Sequence, residues 1–418
     1  MLINSLSALS PENWPFDPKM LPQPIYLVGG AVRNGLLKRQ TKYLDLDFIV
    51  PQQAINLARK IAHQYQAGFV VLDAERKIAR VVFGETTIDF AEIEGNSLEE
   101  DLWRRDFTIN AIAYNPFTDE LIDLFNGLTD LQQGRIKMVK PANLRDDPLR
   151  LLRAYRQAAQ LDFAISLETR ATIQEFAPLL TKVAAERVRS ELSYLLSNSQ
   201  GMLWIERAWK NGLLCDYFPT ARERFEIGKQ VETCAEQLVK IWPQLGIELA
   251  SGLRDTVKTS LLAIAKLAIL VNPQPEVAET ELMRLKYSNA EIRSVLAVIK
   301  CLAKLSEIRI SEMSIRQQYF FFQEIGKNFP ALAVLAVAKE ISIEEMSPLI
   351  NRYFNLEDLV AHPTPLLNGN DLITALNLPK GPLVGTLLME IQLARAENKI
   401  STKTEAIKLA ETLIESSK

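Results

Sequence analysis

Residues 44–50 read Leu-Asp-Leu-Asp-Phe-Ile-Val. Apolar and acidic side chains alternate there with the period of two that an extended strand imposes, so Leu44, Leu46 and Phe48 turn toward a core while Asp45 and Asp47 share the opposite face. Two like charges on one face of a half-buried strand repel, and a cation held between them removes that cost. Upstream, Tyr26-Leu27-Val28 runs into Gly29-Gly30 and then into helical spacing from Ala31 to Lys38. Gly29 and Gly30 let backbone N–H groups approach a triphosphate with no Cβ in the way, and the helix N-terminus that follows favours anions. Arg33 lies one turn into that helix, within reach of the same phosphates. Only His63 and His362 occur in 418 residues, and Cys215, Cys234 and Cys301 are far apart. A metal must therefore sit on oxygen ligands, and a carboxylate pair sharing a cation with substrate phosphates suits Mg2+.

Strand signals cluster in the first third: Ile25 to Val28, Leu44 to Val50, Phe69 to Asp73, Ala79 to Phe83, Thr87 to Ala91 and Ile136 to Val139. After about residue 145 the spacing is helical, with segments expected at Leu167 to Phe176, Ala184 to Leu196, Met202 to Asn211, Thr256 to Leu270, Asn289 to Leu305 and Thr404 to Glu415. Pro148 suits a first helical turn, with Asp146 and Asp147 ahead of it as caps, and the helix runs to about Leu161. The fold class is thus α+β, a small mixed sheet followed by an all-α remainder. A chain of this length with 48% hydrophobic residues fills two to four cores. No apolar run reaches the roughly 20 residues of a membrane helix, and the N-terminus lacks a basic-then-apolar leader, so a cytoplasmic protein with reduced, buried thiols is expected. The net charge of −3 argues against indiscriminate nucleic-acid binding. Nevertheless, Lys140, Arg145, Arg150, Arg153, Arg156, Arg170, Lys182, Arg187 and Arg189 concentrate positive charge in one stretch.

The Gly-Gly turn followed by an alternating acid pair resembles the polymerase-β nucleotidyltransferase superfamily. The resemblance sharpens at RRDFTINAIAYN, Arg104 to Asn115, which is similar to the second signature of class II tRNA nucleotidyltransferases and bacterial poly(A) polymerases. Residues 121–131 resemble that family's hinge motif, DDPLRLLRAYRQAAQLDF its nucleobase-reading motif, and AERVRSELSYLL completes the series. The resemblance implies a catalytic head over 1–141, a helical neck over 142–210, a helical body over 211–305 and a helical tail over 306–418 that binds tRNA. It implies that Asp45 and Asp47 are catalytic metal ligands, with Asp89 as the third acid. Gly29, Gly30, Arg33, Arg104, Arg105, Asp106, Asn110, Arg153 and Arg156 would hold the nucleotide, and Asp147 with Arg150 would read its base. Asn34, Asp146 and Lys137 stand where the family usually has Asp, Glu and Arg.

In the family, a flexible loop between the third acid and the RRD motif is associated with the switch to ATP for the last addition. Here only FAEIEGNSLEEDLW separates Asp89 from Arg104. The expected activity is therefore addition of CC from CTP to the tRNA 3′ acceptor end, with Mg2+ as cofactor, no membrane, and a companion A-adding enzyme. Alternatives are a CCA-adding or A-adding enzyme using ATP, a poly(A) polymerase, or an inactive RNA-binding protein on the same scaffold.

Overall fold

The computed structural model describes residues 9–39, 44–254 and 257–416; residues 1–8 and Thr256, where one helix is expected to begin, lie outside them. The chain separates into two compact units, the first comprising residues up to Glu191 with Arg207–Leu213, the second Leu192–Glu206 with Leu214 onward.

In the first unit, strands β1 (Tyr26–Val28), β2 (Asp45–Val50), β3 (Gly68–Asp73), β4 (Ile78–Phe83), β5 (Thr86–Glu92), β6 (Ile112–Asn115) and β7 (Glu120–Asp123) form a mixed sheet. Its order is β3-β4-β5-β2-β1-β6-β7, which puts the acid-bearing strand in the middle. β2 runs parallel to β5 and antiparallel to β1. One face is driven by burial of Leu46, Phe48, Ile88 and Phe90, all at most 1% exposed. Phe48 and Phe90 stack with ring centroids 5.4 Å apart, and helix α2 (Ala54–Gln64) buries Ala54, Ala58, Ile61 and Ala62. Helix α1 (Gly29–Leu36) springs from the Gly-Gly turn between β1 and β2. On the acid side, α3 (Leu98–Trp103) packs Leu98 and Leu102 on Val28, Ile49 and Ala113.

Strand β6 falls inside the stretch read as signature, and β7 starts one residue before the stretch read as hinge and runs into it. All four β6 residues are buried, so no alternation betrays the strand. The strand expected over Ile136 to Val139 is corrected by the structure. Only β8 (Arg135–Ile136) forms, paired in parallel with β9 (Ala164–Ile165). Beyond it, the Lys137 carbonyl accepts from Thr108 N at 2.9 Å and Val139 N donates to Asp106 O at 3.1 Å, so the segment frames the signature turn instead of extending the sheet.

Helices α4 (Gly127–Gln132), α5 (Pro141–Asp146), α6 (Leu149–Leu161), α7 (Leu167–Phe176), α8 (Ala185–Leu196) and α9 (Gly201–Lys210) follow. The expected caps of α6 do not form: Pro148 is its N-cap residue, with no side-chain cap, because the Asp147 carboxylate turns to Arg187 at 3.3 Å and Arg150 at 3.7 Å. Asp146 lies beside Arg145 at 3.6 Å.

The second unit is built from α10 (Phe225–Ile241), α11 (Pro243–Ala250), α12 (Leu261–Leu270), α13 (Pro275–Arg284), α14 (Asn289–Glu307), α15 (Ile315–Ile325), α16 (Phe329–Ala338), α17 (Ile343–Phe354), α18 (Gly369–Leu376), α19 (Pro382–Ala396) and α20 (Lys403–Glu415). The helix expected from Thr256 starts only at Leu261, because β11 (Val257–Ser260) pairs with β10 (Gly252–Arg254) first. Lys266, the lone charge in apolar α12, is fully buried. Its ammonium donates to the carbonyls of Leu196 and Asn198 at 2.9 Å each and pairs with Glu232. Among the described residues no single helix is long and apolar enough to cross a membrane. Cys234 and Cys301 are buried as expected, whereas Cys215 is only half-buried.

Gly127 lets α4 press against the signature turn: a Cβ there would lie 2.4 Å from the Thr108 carbonyl oxygen and 2.9 Å from Ile112. We predict that Gly127→Ala costs roughly 1–3 kcal/mol of stability, the usual penalty of overpacking, measurable as a lowered midpoint in urea denaturation.

Candidate active site

The site is assembled around the centre of the sheet. In register, Asp47 stands directly beside Asp89 of β5, and Asp45 beside Thr87. Thr87 Oγ1 donates to Asp45 Oδ1. Burial, then the charge of Asp89, then that of Asp45 push the Asp47 carboxyl up to about 6. A carboxylate this disfavoured is a place for a cation. Both oxygens of Asp89, however, are taken by Arg80 of β4, whose Nε and Nη2 donate at 2.7 and 2.8 Å. No cluster of three potential metal-ligating side chains exists among the described residues. Two acids with open oxygens therefore remain, with the rest of a coordination shell left to substrate phosphates and water. That donor set fits Mg2+, which binds through one or two carboxylates and keeps its other positions for phosphate and water.

The Gly-Gly turn abuts the acids. Gly29 has φ of +72°, and a Cβ on it would come within 3.1 Å of Asp47 Oδ2 and 3.7 Å of Arg105 Nη1. A cavity of about 160 Å3 opens here between Gly30, Arg33, Asn34, Arg39, Asp45 and Asp47. Arg105 lies beside Gly29 with Nη2 bound to Asp101 at 3.1 Å, while its buried Nε has no hydrogen-bond partner among the described residues. An orphaned buried guanidinium N–H is costly unless something polar arrives.

A polar network joins this loop to helix α6. Arg33 Nη1 donates to Asn110 Oδ1 at 2.7 Å, and Asn110 Nδ2 donates to Asp106 Oδ1 at 2.9 Å and to Gln157 Oε1 at 3.0 Å. Asp106 also accepts from Phe107 N at 2.8 Å and pairs with Arg153 at 3.2 Å. Burial raises the Asp106 carboxyl, but Arg153, the Asn110 hydrogen bond and Arg150 outweigh it and hold it below the usual carboxylate range. Burial lowers Arg33 to about 10, against the pull of Asp106. Asn34 serves Arg33, its Oδ1 accepting at 3.2 and 3.1 Å.

The structure thus brings Gly29, Gly30, Arg33, Asp45, Asp47, Asp89, Arg105, Asp106, Asn110 and Arg153 together. Arg104 is committed elsewhere, to Glu94, and Arg156 to Glu191 at 2.5 Å and Gln160 at 3.0 Å. Asp147 and Arg150 lie near each other at the start of α6, and Arg150 Nη1 also donates to the Arg104 carbonyl at 2.6 Å. Sequence reasoning missed Arg80, Gln157, Asn143 and Arg39. Asn143 donates to the Trp103 and Arg105 carbonyls at 2.8 and 2.7 Å. Arg39 donates to the last carbonyls of α6, Gln160 and Leu161, at 2.8 and 2.9 Å. Gln157 was within reach, since it continues the face of Arg150 and Arg153 at helical spacing.

A glycine turn against paired acids on a central strand, with guanidinium groups converging from two helices, defines a nucleotidyltransferase head. The chain matches family models described as the poly(A) polymerase head domain over residues 25–137, the probable RNA and SrmB-binding site of polymerase A over 162–224, and putative tRNA nucleotidyltransferase domain 2 over 255–410. It is 47% identical to a CC-adding tRNA nucleotidyltransferase of Synechocystis over 96% of both chains. It is 31% identical to a CC-adding tRNA nucleotidyltransferase of Geobacter sulfurreducens, over 91% of this chain and 90% of that one. Its fold is similar to that of a CCA-adding enzyme solved with ATP, at a TM-score of 0.71 and 23% identity over 94% of this chain and 91% of that one. The chain belongs to the tRNA nucleotidyltransferase and poly(A) polymerase family, and it is an RNA 3′-end nucleotidyltransferase.

Because the folded-state value of Asp47 lies above its ordinary 3.8, ionisation of this group opposes folding. In metal-free protein its contribution to stability is fully present below 3.8 and is lost as pH rises through about 6. We predict that Asp47→Asn raises the melting temperature of metal-free protein at pH 7.5 while lowering kcat about a hundred- to a thousandfold, and that Mg2+ affinity of the parent enzyme weakens below pH 6. Calorimetry with and without Mg2+ across pH 5–8 checks the melting temperature and the metal affinity, and steady-state kinetics checks kcat.

Proposed function

We propose that this enzyme adds CC to the 3′ end of immature tRNA from CTP and stops there, leaving the terminal A to a separate enzyme. The observation that carries the stop is the closed link between β5 and α3, residues 93–97. Glu94 N donates to Asp101 at 3.2 Å, Asn96 N donates to Glu100 at 2.8 Å, Glu94 pairs with Arg104, and Ser97 caps α3. Gly95, at φ of +104°, sits so tightly that a Cβ would lie 2.5 Å from Glu100 Oε2. A link this short and this stapled has no room for the flexible loop that family members use to change to ATP. The names of the two CC-adding relatives support the same reading.

In the mechanism, the Gly29-Gly30 backbone, Arg33 and Arg105 hold the triphosphate. Asp106 and Asn110, locked by Arg153 and Gln157, face the ribose, and Asp45 and Asp47 would hold Mg2+. Mg2+ held there would supply Lewis-acid stabilisation of the charge that develops during phosphoryl displacement. The RNA 3′-hydroxyl gives up its proton to water as its oxygen attacks the α-phosphorus, the bond from that phosphorus to the oxygen bridging to the β-phosphate breaks, and pyrophosphate leaves with the bridging oxygen. At the base, the Asp147 carboxylate accepts from the exocyclic amine of cytosine while Arg150 donates to its ring nitrogen and carbonyl. Uracil presents a carbonyl to Asp147 and leaves two acceptors facing, at a cost of about 1–3 kcal/mol. The neck from residue 142, with the body and tail beyond, would grip the tRNA by shape and phosphate contacts, since many tRNAs must be served.

With purified enzyme and Mg2+, tRNA ending at the discriminator base should gain two residues from CTP, and tRNA ending in CC should gain none from ATP. Incorporation of ATP onto the CC end refutes the proposed stop. Asp147→Asn should reduce the preference for CTP over UTP about tenfold, read as the ratio of kcat/KM values.

A further inference from the structure

The acid-bearing face of the sheet continues over β5, β4 and β3. Residues paired across neighbouring strands point to the same side, so the register draws two rows. One runs Asp47, Asp89, Arg80, Val70; the other runs Asp45, Thr87, Val82, Gly68. Each row starts at a catalytic acid and ends at the sheet edge. Val70 is 50% exposed and Gly68 is exposed. A Cβ on Gly68 would lie 3.2 Å from Val82 Cβ, so the glycine keeps the ledge beside Val82 bare. Arg80 stands between acids and ledge with 37% of its side chain open. Asp89 holds its Nε and Nη2, which fixes the guanidinium plane and leaves Nη1 without a hydrogen-bond partner among the described residues.

The nucleotide-holding groups lie on the other flank. Gly29, Gly30, Arg33, Arg105, Asn110 and Arg153 come from the β1–α1 turn, the approach to β6, and α6, while β1 and β6 sit across β2 from β5 in the strand order. In-line displacement places the attacking and leaving oxygens on opposite sides of phosphorus. With pyrophosphate leaving on the β1 flank, the RNA must arrive over β5 and β4.

We propose that Arg80, with the ledge of Gly68, Val70 and Val82, is the docking strip for the last nucleotide of the RNA, an assignment that rests on the nucleotidyl-transfer reading above. The free guanidinium N–H donates to the terminal phosphodiester, and the ledge carries the sugar and base. At a strand spacing of about 4.8 Å, Arg80 is anchored about 10 Å and Val70 about 14 Å of sheet from Asp47, the span of one nucleotide plus a reaching side chain. A ledge of one glycine and two valines offers contact without hydrogen bonds, so it accepts any base, as an enzyme must that first meets varied tRNA ends and then its own added cytidine.

The test uses full-length enzyme and an acceptor-stem hairpin RNA lacking CCA. Affinity is titrated without nucleotide, so no chemistry intervenes. Arg80→Gln should weaken binding about three- to tenfold and reduce the slope of log affinity against log salt by about 0.7, the share of one single-strand phosphate contact. Val70→Glu, at the exposed sheet edge and beside Arg80 in register, should raise KM for the RNA about tenfold by repelling phosphate and drawing on the free Arg80 N–H, with KM for CTP unchanged. Unaltered RNA affinity and KM in both variants overturn the strip. An Arg80→Gln effect confined to kcat, with affinity and salt slope intact, also overturns it, because a residue that merely holds Asp89 would behave so. Full activity in Asp45→Ala would instead overturn the underlying catalytic reading and leave the binding titrations to judge the strip separately.

Discussion

Repulsion among carboxylates on the central strands is the constraint from which the rest of the head follows. Asp45 and Asp47 face the same side of β2, with Asp89 in register on β5, and their mutual repulsion in partial burial would be costly anywhere else in the fold. The structure answers it asymmetrically. Asp89 is neutralised within the protein by the Arg80 fork, Asp45 takes a single hydroxyl from Thr87, and Asp47 keeps its unfavourable charge. The fold thereby stores a local electrostatic debt at the one point where metal and triphosphate would settle it.

Helix α6 is the second organiser. Its Arg150, Arg153 and Gln157 reach, respectively, the Arg104 carbonyl, Asp106 and Asn110, and its last carbonyls are held by Arg39, three residues beyond α1. Every contact lies on one helical face. A rotation of α6 about its axis would break all of them at once, so the groups that would read the base and those that would hold ribose and triphosphate share one rigid frame.

How much of this was legible in sequence depended on whether the partners lie close along the chain. The acid pair, the Gly-Gly turn and the exposed side of β2 follow from a period of two over a few residues. The Asp106 to Asn110 turn was readable as a motif, and Gln157 could have been added from helical spacing. Arg80 was not readable: its role comes from pairing with Asp89 on a neighbouring strand, and nothing local marks it. Arg39 acts on backbone carbonyls some 120 positions away in the chain, which no residue type announces. Where reading failed outright, tertiary contacts had displaced local preference: Asp147 left its cap for Arg187, and residues 137–139 form, in place of a strand, one isolated antiparallel bridge from Met138 to Phe107 that frames the signature turn.

The stapled link between β5 and α3 has an evolutionary consequence. Surface loops lengthen at little thermodynamic cost, about 0.6 kcal/mol for each doubling, and this one closes on its own side chains, Glu94 on Arg104 and Asn96 on Glu100. A short insertion there would release the staples while leaving the sheet, the acids and α6 in place. On the proposed reading, in which this link sets where addition stops, product length would be one of the most mutable traits of such an enzyme, able to change between lineages by a single insertion or deletion while the chemistry stays constant.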